Sequence, residues 1–315
     1  MPMSNSYHIN DTASYHREGL TTLGWELTVT NALEDASSPC RSILDKKESF
    51  GNLLADRLQT LIPPDSIISM LEIGGGYGFL MRDFLRRFRV DRAAMVDLSP
   101  VLLNKQRKTL KESAVTFIEN DFFSIGADFF RDYDLVLMNE IIGDFPTICD
   151  IDPAMLVSDE SDIDPVLGRV RDFLISHGLP FPEETFNINT GAIEAVDRLC
   201  SAGVKYIYLS EHSCEATVPE NMKNRIRIES TQNPERITLM GHCEYTIKFS
   251  YLARAAEQRG YRVHRGQYKD FITFPYTDRV NFILTSHSQK DEHEIIRQFI
   301  EDLYKYEYLV LIREE

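Results

Sequence analysis

The sequence predicts an α/β fold in which helices cover both faces of a mostly parallel sheet of seven strands. Two observations support this prediction. An apolar run at residues 70–73 breaks into glycines and then continues with helical spacing from residue 79. Three more short apolar runs follow, separated by helical patterns, and each ends in a polar or acidic residue. Strands that alternate with helices form doubly wound parallel sheets, and a late strand near the end of the chain is expected to run antiparallel.

The glycine turn is the most informative stretch of the chain. Residues 70–80 read MLEIGGGYGFL, in which a buried strand ends in a carboxylate and a turn without side chains follows. Glycines let the backbone approach a ligand closely, and the next helix brings its N-terminus to the same point. The alternative is a glycine-rich turn that binds nothing.

The spacing of the turn distinguishes between cofactors. A dinucleotide site needs G-x-G-x-x-G to hold a pyrophosphate. Here the pattern is Glu72-x-Gly74-x-Gly76-x-Gly78, with no basic residue in the turn. A carboxylate at this point favours a ligand with positive charge and no phosphate. S-adenosylmethionine (SAM), which carries an ammonium and a sulfonium, meets that description.

Acidic and polar residues follow the next three predicted strands. Asp97 comes 25 residues after Glu72, where a carboxylate can accept hydrogen bonds from both ribose hydroxyls. Asp121 can bind the adenine amino group, and Phe122 can stack on the base. Ligands of open α/β sheets bind at the carboxyl edge where such residues meet. The cofactor-binding residues that we expect are Glu72, Gly74, Gly76, Gly78, Asp97, Leu98, Asp121, Phe122 and Asn139.

Composition narrows the class of protein further. The chain has 315 residues, a hydrophobic content of 43% and a net charge of −15. This net charge disfavours nucleic acid as a partner, because phosphate binding needs clustered Lys and Arg. The five scattered cysteines contain no CxxC pair, which predicts neither a metal site nor a disulfide framework and fits a reducing cytoplasm. We expect no membrane span and no signal peptide.

The chain divides into two predicted parts. Residues 1–60, which include Trp25, are expected to form a helical lid or an arm that joins two copies into a homodimer. Residues 61–315 are expected to form the cofactor-binding domain, with an irregular acidic insertion at 147–189 that serves as a substrate cap or a surface loop. Residues 282–284 and 308–312 are predicted as late strands on either side of a helix at about 292–304.

Most of residues 48–315 resemble the MidA-like family of class I SAM-dependent methyltransferases. The matching segments are ESFGNLLADRL, LEIGGGYGFLMRDFL, VDLSPVLLNKQRKTL, MNEIIGDFP, GVKYIYLSEHS and GHCEYTIKFSYLARAAEQRGY. The family includes the mitochondrial complex I assembly methyltransferase, which modifies a protein arginine. The resemblance therefore implies a Rossmann-like fold, SAM as cofactor and a protein arginine as acceptor.

The sequence also departs from the family's pattern. The Asp that follows the family's Asn-Glu pair is Gly143 here, and Asp144 comes one position late. The family's Asp-Tyr-Gly is replaced by residues 210–212, which read Ser-Glu-His, and a later Asp is Glu244.

Three residues are candidates for the methyl-transfer step. An arginine acceptor needs carboxylates that orient its guanidinium, and Glu140 is the first choice, with Asp144 and Glu211 next. A hydroxyl acceptor would need a general base, for which His212 and His242 are the candidates. Three functions stay open: a protein methyltransferase, a small-molecule O- or N-methyltransferase, and a SAM-binding assembly factor with little turnover.

Overall fold

The fold is seen in a computed structural model that describes residues 7–20, 28–157, 163–286 and 288–314. Its strands are β1 (His8–Asn10), β2 (Ser69–Ile73), β3 (Arg92–Asp97), β4 (Val115–Glu119), β5 (Leu135–Asn139), β6 (Thr147–Ile151), β7 (Phe186–Ile188), β8 (Tyr206–His212), β9 (Arg236–Thr238), β10 (Cys243–Tyr245), β11 (Tyr261–Gln267) and β12 (Tyr306–Arg313). Its helices are α1 (Val29–Ala32), α2 (Pro39–Ser42), α3 (Phe50–Gln59), α4 (Phe79–Arg87), α5 (Pro100–Thr109), α6 (Ala127–Phe130), α7 (Pro165–Ser176), α8 (Thr190–Ala202), α9 (Phe249–Gln258), α10 (Asp278–Thr285) and α11 (Asp291–Lys305).

The central sheet has seven strands in the order β11–β12–β8–β5–β2–β3–β4. Strands β4, β3, β2, β5 and β8 are parallel, whereas β12 pairs antiparallel with both β8 and β11. The predicted fold class, including the antiparallel late strand, is confirmed. Because β2 has β3 on one side and β5 on the other, the chain changes direction across the sheet at β2, where open α/β sheets bind their ligands.

Alternate residues of the strands pack into two apolar layers, one on each face of the sheet. Met70 and Tyr208 belong to the layer that includes α3, α4 and α11. Leu71 and Ile207 belong to the opposite layer, with α8 and α9. Burial on both faces explains why the strands read as continuous apolar runs.

One predicted strand is wrong. Residues 282–284 lie in α10, not in a strand. The Thr277 side chain accepts a hydrogen bond from the amide of Val280 and caps this helix, while Val280, Ile283 and Leu284 form its buried side. Spacing of three and four residues is helical, so the short apolar run is one face of an amphipathic helix.

The insertion at 147–189 has regular structure where it is described. Its β6 and β7 form a three-stranded antiparallel sheet with β1 from the N-terminal segment, and α7 packs beside them. Part of its acidic stretch, residues 158–162, lies outside the described residues, as does Trp25. Among the helices that the structure describes, none is both long and apolar enough to cross a membrane.

Candidate active site

The turn after β2 leaves no room for a side chain at Gly74 or at Gly75. Gly74, Gly76 and Gly78 have φ of +65°, +50° and +81°, which is the left-handed region that glycine tolerates best. A Cβ on Gly74 would lie 2.5 Å from Cγ1 of Ile141, and one on Gly75 would lie 2.2 Å from Cε of Met95. Gly78 caps the N-terminus of α4 and lies behind the turn, outside the lining of the cleft.

Glu72 places an unpaired carboxylate oxygen beneath this turn. The residue is 2% exposed, and its Oε2 has no hydrogen-bond partner among the described residues. Burial raises the pKa of Glu72 to about 8, and the nearby carboxylates of Asp97 and Asp83 add to the increase. A buried carboxylate without a partner is costly unless a positive charge approaches it. The position therefore suits a cationic ligand.

Asp97 lies at the end of β3 and is held in place from two sides. Its Oδ1 accepts a hydrogen bond from the amide of Ser99 at 2.9 Å, and its Oδ2 accepts one from Gln106 Nε2 at 2.7 Å. Gln106 Nε2 also donates to the carbonyl oxygen of Gly76 at 3.1 Å, so one side chain links the acid to the glycine turn. Burial raises the pKa of Asp97 to about 6, although these hydrogen bonds favour the charged form.

Three more predicted residues form one wall of the cleft. Leu98, Asp121 and Phe122 all line it. The carboxylate of Asp121 accepts hydrogen bonds from the amide of Phe123 and from Arg17, both at 2.9 Å. Phe122 is only 4% exposed, because its ring packs among other aromatic rings. Contact of this wall with an adenine ring stays a prediction.

Asn139 and Glu140 follow β5 and join a buried hydrogen-bond network. Asn139 Oδ1 accepts hydrogen bonds from Ser210 at 3.0 Å and Tyr268 at 3.1 Å, and its amide group donates to Thr30 at 3.2 Å. The hydroxyls of Thr30 and Tyr268 also lie 3.4 Å from Glu140 Oε1. Burial raises the pKa of Glu140 to about 7. This network fixes a carboxylate that lines the cleft next to the glycine turn.

The other two candidate catalytic acids occupy different environments. Asp144 lines the cleft, and its Oδ1 lies 2.9 Å from Nε2 of His16. Glu211 does not line the cleft: it is 3% exposed and accepts a hydrogen bond from the amide of Gly143 at 3.2 Å. Burial and the neighbouring carboxylate of Glu244 raise the pKa of Glu211 well above its ordinary value. The structure therefore brings Glu140 and Asp144 together in the cleft and leaves Glu211 beneath it.

The cleft has about 1230 Å³ of empty space, including its open mouth. The cleft is lined by the expected strand-end residues together with residues 11–13, 16, 28, 30 and 31 of the N-terminal segment. No Lys or Arg is among the described residues that line it. The lining carboxylates are Asp11, Glu72, Asp97, Asp121, Glu140 and Asp144. A turn that excludes side chains, an orphaned carboxylate oxygen and an acidic lining all fit SAM.

Several residues of the site could not be found from the sequence. Thr30 and Tyr268 join the Glu140 network from positions more than 100 residues away, with no local motif. The sequence indicates a role for Gln106 only weakly, because it is a polar residue on the buried face of the amphipathic helix α5. His16 lies in a short π-helical turn within the N-terminal segment, where no periodicity predicted its position.

Comparison with known proteins agrees with this site. Residues 49–149 match the model of a family described as S-adenosyl-L-methionine-dependent methyltransferases. No match was found among curated proteins.

Two solved structures from Burkholderia thailandensis share the fold. One, an uncharacterized protein, has a TM-score of 0.53 and 16% identity, with 90% of this chain and 86% of that chain covered. The other, of the same superfamily and bound to S-adenosyl-homocysteine (SAH), has a TM-score of 0.50 and 16% identity, with 84% and 76% covered. At this identity, the two structures support the fold alone.

The family match includes the glycine turn and the residues that end β3, β4 and β5. The chain is a SAM-dependent methyltransferase, and SAM is its cofactor.

Proposed function

We propose that this methyltransferase acts on a cationic nitrogen acceptor, and that its substrate class is a protein arginine side chain. The single observation that carries the proposal is the position of Glu140, a carboxylate fixed in a cleft whose described lining has six acids and no Lys or Arg. The resemblance to the MidA-like family supports the same substrate class. Carboxylates orient a guanidinium by charge-assisted, bidentate hydrogen bonds.

Each strand-end residue has a role in this proposal. Glu72 and the glycine turn hold the amino-acid part of SAM, and Asp97 holds its ribose. When bound, SAM supplies an electrophilic methyl group on its sulfonium. Glu140 binds the acceptor and aims its nitrogen, since catalysis of such a displacement depends mostly on position and orientation. The hydrogen bonds of Glu140 to the acceptor strengthen as charge moves, which favours the transition state over the ground state.

The proposal also covers the role of the N-terminal segment and the location of the protein in the cell. Residues 1–60 act as a lid, and the proposal is supported by the residues at 11–13, 16, 28, 30 and 31 that line the cleft. Light scattering measures whether the segment also joins two copies into a homodimer. A cytoplasmic location is part of the proposal, and the five free cysteines are consistent with it.

Replacement of Glu140 by Gln tests the acceptor role. Glu140→Gln keeps the shape and removes the charge, so transfer of labelled methyl from SAM to arginine peptides should fall about 10²-fold or more, while SAM affinity stays within a few-fold. Glu119→Gln, at the exposed end of β4, is the matched control and should leave transfer unchanged. The measurements are scintillation counting of the peptide and calorimetry of SAM binding. Full transfer by Glu140→Gln, with the wild type active on the same peptide, would rule out this role.

The pH profile gives a second readout of Glu140. Because burial raises its pKa to about 7, the carboxylate ionises as pH rises through that value. Binding of a cationic acceptor needs the ionised form, so transfer should rise with pH through about 7. This rise in transfer near pH 7 should be absent in Glu140→Gln. An identical rise with pH in the wild type and in Glu140→Gln would show that another group titrates.

A small-molecule hydroxyl acceptor is the second candidate function. The observation that favours it is the contact of 2.9 Å between His16 and Asp144 at the cleft. Burial alone would lower the pKa of His16, but the Asp144 carboxylate raises it above its ordinary value, as expected for a general base. If His16→Gln abolishes transfer and Glu140→Gln does not, the hydroxyl acceptor is favoured. Absence of transfer to every class of acceptor would favour an assembly factor.

A further inference from the structure

Three residues that are distant in the sequence meet at the edge of the cleft. His16 comes from the N-terminal segment, Asp144 from the turn after β5, and His242 from the loop between β9 and β10. Asp144 Oδ1 lies 2.9 Å from His16 Nε2 and 3.6 Å from His242 Nε2. One ligand atom from each residue lies within 4.8 Å of the other two.

A common ligand would give a partner to two buried atoms of this cluster that have none. Neither His16 Nε2 nor Asp144 Oδ1 makes a hydrogen bond to any described residue, despite the short distance between them. Both atoms are buried, and the three side chains are 14%, 10% and 6% exposed in the order His16, Asp144, His242. Bonds of about 2.0–2.1 Å to a tetrahedral ion place ligand atoms about 3.3 Å apart, between the two distances observed.

The chemistry of the three groups selects the kind of ion. Two imidazoles and one carboxylate are ligands typical of zinc and of neighbouring divalent transition metals, whereas magnesium and calcium prefer sites made of oxygen alone. Glu244 Oε1 lies 3.3 Å from the same atom, His242 Nε2, so a second carboxylate is close enough to balance the charge of the ion.

We propose that His16, Asp144 and His242 bind one divalent transition-metal ion of the zinc class at the edge of the cofactor cleft. The site was not expected from the sequence, because the ligands have no short spacing that marks a metal motif. This proposal goes beyond the methyl-transfer function and does not depend on the identity of the acceptor.

The ion would hold the N-terminal segment in place at the edge of the cleft. That segment already reaches the same two elements through hydrogen bonds: Asn10 donates to the carbonyl of Cys243 at 2.8 Å, and Thr12 donates to the carbonyl of Asp144 at 3.0 Å. A metal bond from His16 adds a stronger link at the same junction. An ion here would also occupy the lone pair that His16 needs as a general base, so it would count against the hydroxyl-acceptor function.

Titration of the metal-free full chain with zinc chloride and with cobalt chloride tests the site. Calorimetry of the wild type should show one bound ion per chain, and cobalt should give visible absorption bands of a nitrogen- and oxygen-ligated ion. His16→Ala, His242→Ala and Asp144→Asn should each weaken binding by about tenfold or more. His8→Ala is the matched control, because His8 also contacts a carboxylate, Asp150, at 3.1 Å outside the cluster.

The folding of each variant is checked by circular dichroism. Asp144→Asn keeps nearly the same shape, so it serves where a histidine variant fails to fold. The proposal is supported if the cluster variants lose the ion and His8→Ala retains it. It is overturned if the wild type binds no ion, or if folded His242→Ala and Asp144→Asn proteins bind it as tightly as the wild type. Methyl transfer is not measured, so failure of the site leaves the proposed function untouched.

Discussion

Glu140 has a backbone conformation, φ +54°, that residues with side chains seldom adopt. Such strain costs on the order of 1–3 kcal/mol and persists where the surroundings enforce it. Here the amide of Glu140 donates to the carbonyl of Ser210 at 3.0 Å, and Asn139 is held by its own hydrogen bonds beside it. We infer that the strained turn is kept because it aims the carboxylate into the cleft.

Asp97→Ala should weaken SAM binding by about 1.5–3 kcal/mol, the range for hydrogen bonds to a charged group. This corresponds to an affinity roughly 10- to 150-fold lower. The reason is that the ribose hydroxyls lose their acceptor, while Ser99 and Gln106 also lose theirs. Calorimetry measures the change. Asp128→Ala, which removes a carboxylate that is 90% exposed, is the control, and a loss below twofold in a folded Asp97→Ala protein would place the ribose elsewhere.

At the residue scale, the sequence predicted the residues that end strands. Asp97 and Glu140 were predicted to share one edge, because parallel strands bring their carboxyl ends together, and the structure places both in one cleft. His16 and Tyr268 could not be predicted, because their positions depend on how distant segments pack. Glu211 was predicted by the same strand-end reasoning, but the turn at Gly143 covers it.

At the scale of elements, Gly76→Val tests the turn between β2 and α4. A β-branched residue at φ +50° is strained, and its side chain would enter the space that the ligand needs. SAM binding measured by calorimetry should be lost. Gly126→Val is the matched control: Gly126 has φ −66°, and a Cβ there meets nothing within 4 Å. Unchanged affinity in a folded Gly76→Val protein would show that the turn does not hold the cofactor.

Gly191→Ala tests how tightly α8 packs against the turn that follows β5. A Cβ on Gly191 would lie 2.6 Å from Cδ of Pro146 and 2.8 Å from Cβ of Phe145, and both of those residues line the cleft. Overpacking of this kind should reduce the free energy of unfolding by about 1–3 kcal/mol, measured by denaturant titration.

Gly168→Ala in α7 is the control for that variant. The nearest atom to its added Cβ is Cγ2 of Ile163, at 3.8 Å. Without a clash, the higher helix propensity of alanine should stabilise the protein by about 0.5–1 kcal/mol. An equal change in the free energy of unfolding for Gly191→Ala and Gly168→Ala would contradict the tight contact between α8 and Pro146.

The elements differ in how well the sequence predicted them. Helix α8 was predicted from apolar spacing and from Gly203, and the structure ends it there with Gly203 at φ +77°. The strand predicted at residues 282–284 was wrong because three apolar residues fit either period. Thr277 was the residue that could have identified this segment as a helix. It is the N-cap of α10, and its side chain accepts a hydrogen bond from the amide of Val280.

At the scale of the whole molecule, carboxyl side chains are concentrated at the cleft where we propose that the cofactor and the acceptor bind. The net charge is −15, and six carboxylates line the cleft without a Lys or Arg among its described residues. Clefts lined by charge of one sign attract ligands of the opposite sign and raise their rate of association. Salt screens exposed charges over about 10 Å at 0.1 M, so that attraction should be strongest at low ionic strength.

A crystal structure of the chain with bound SAH tests the central claim most directly. The account predicts that SAH lies in the cleft between the glycine turn and Glu140. Its ribose hydroxyls should lie within about 3.2 Å of the Asp97 carboxylate, the upper range for a hydrogen bond. Its sulfur should face Glu140. SAH bound outside the cleft, or with its ribose away from Asp97 and its sulfur away from Glu140, would contradict the account.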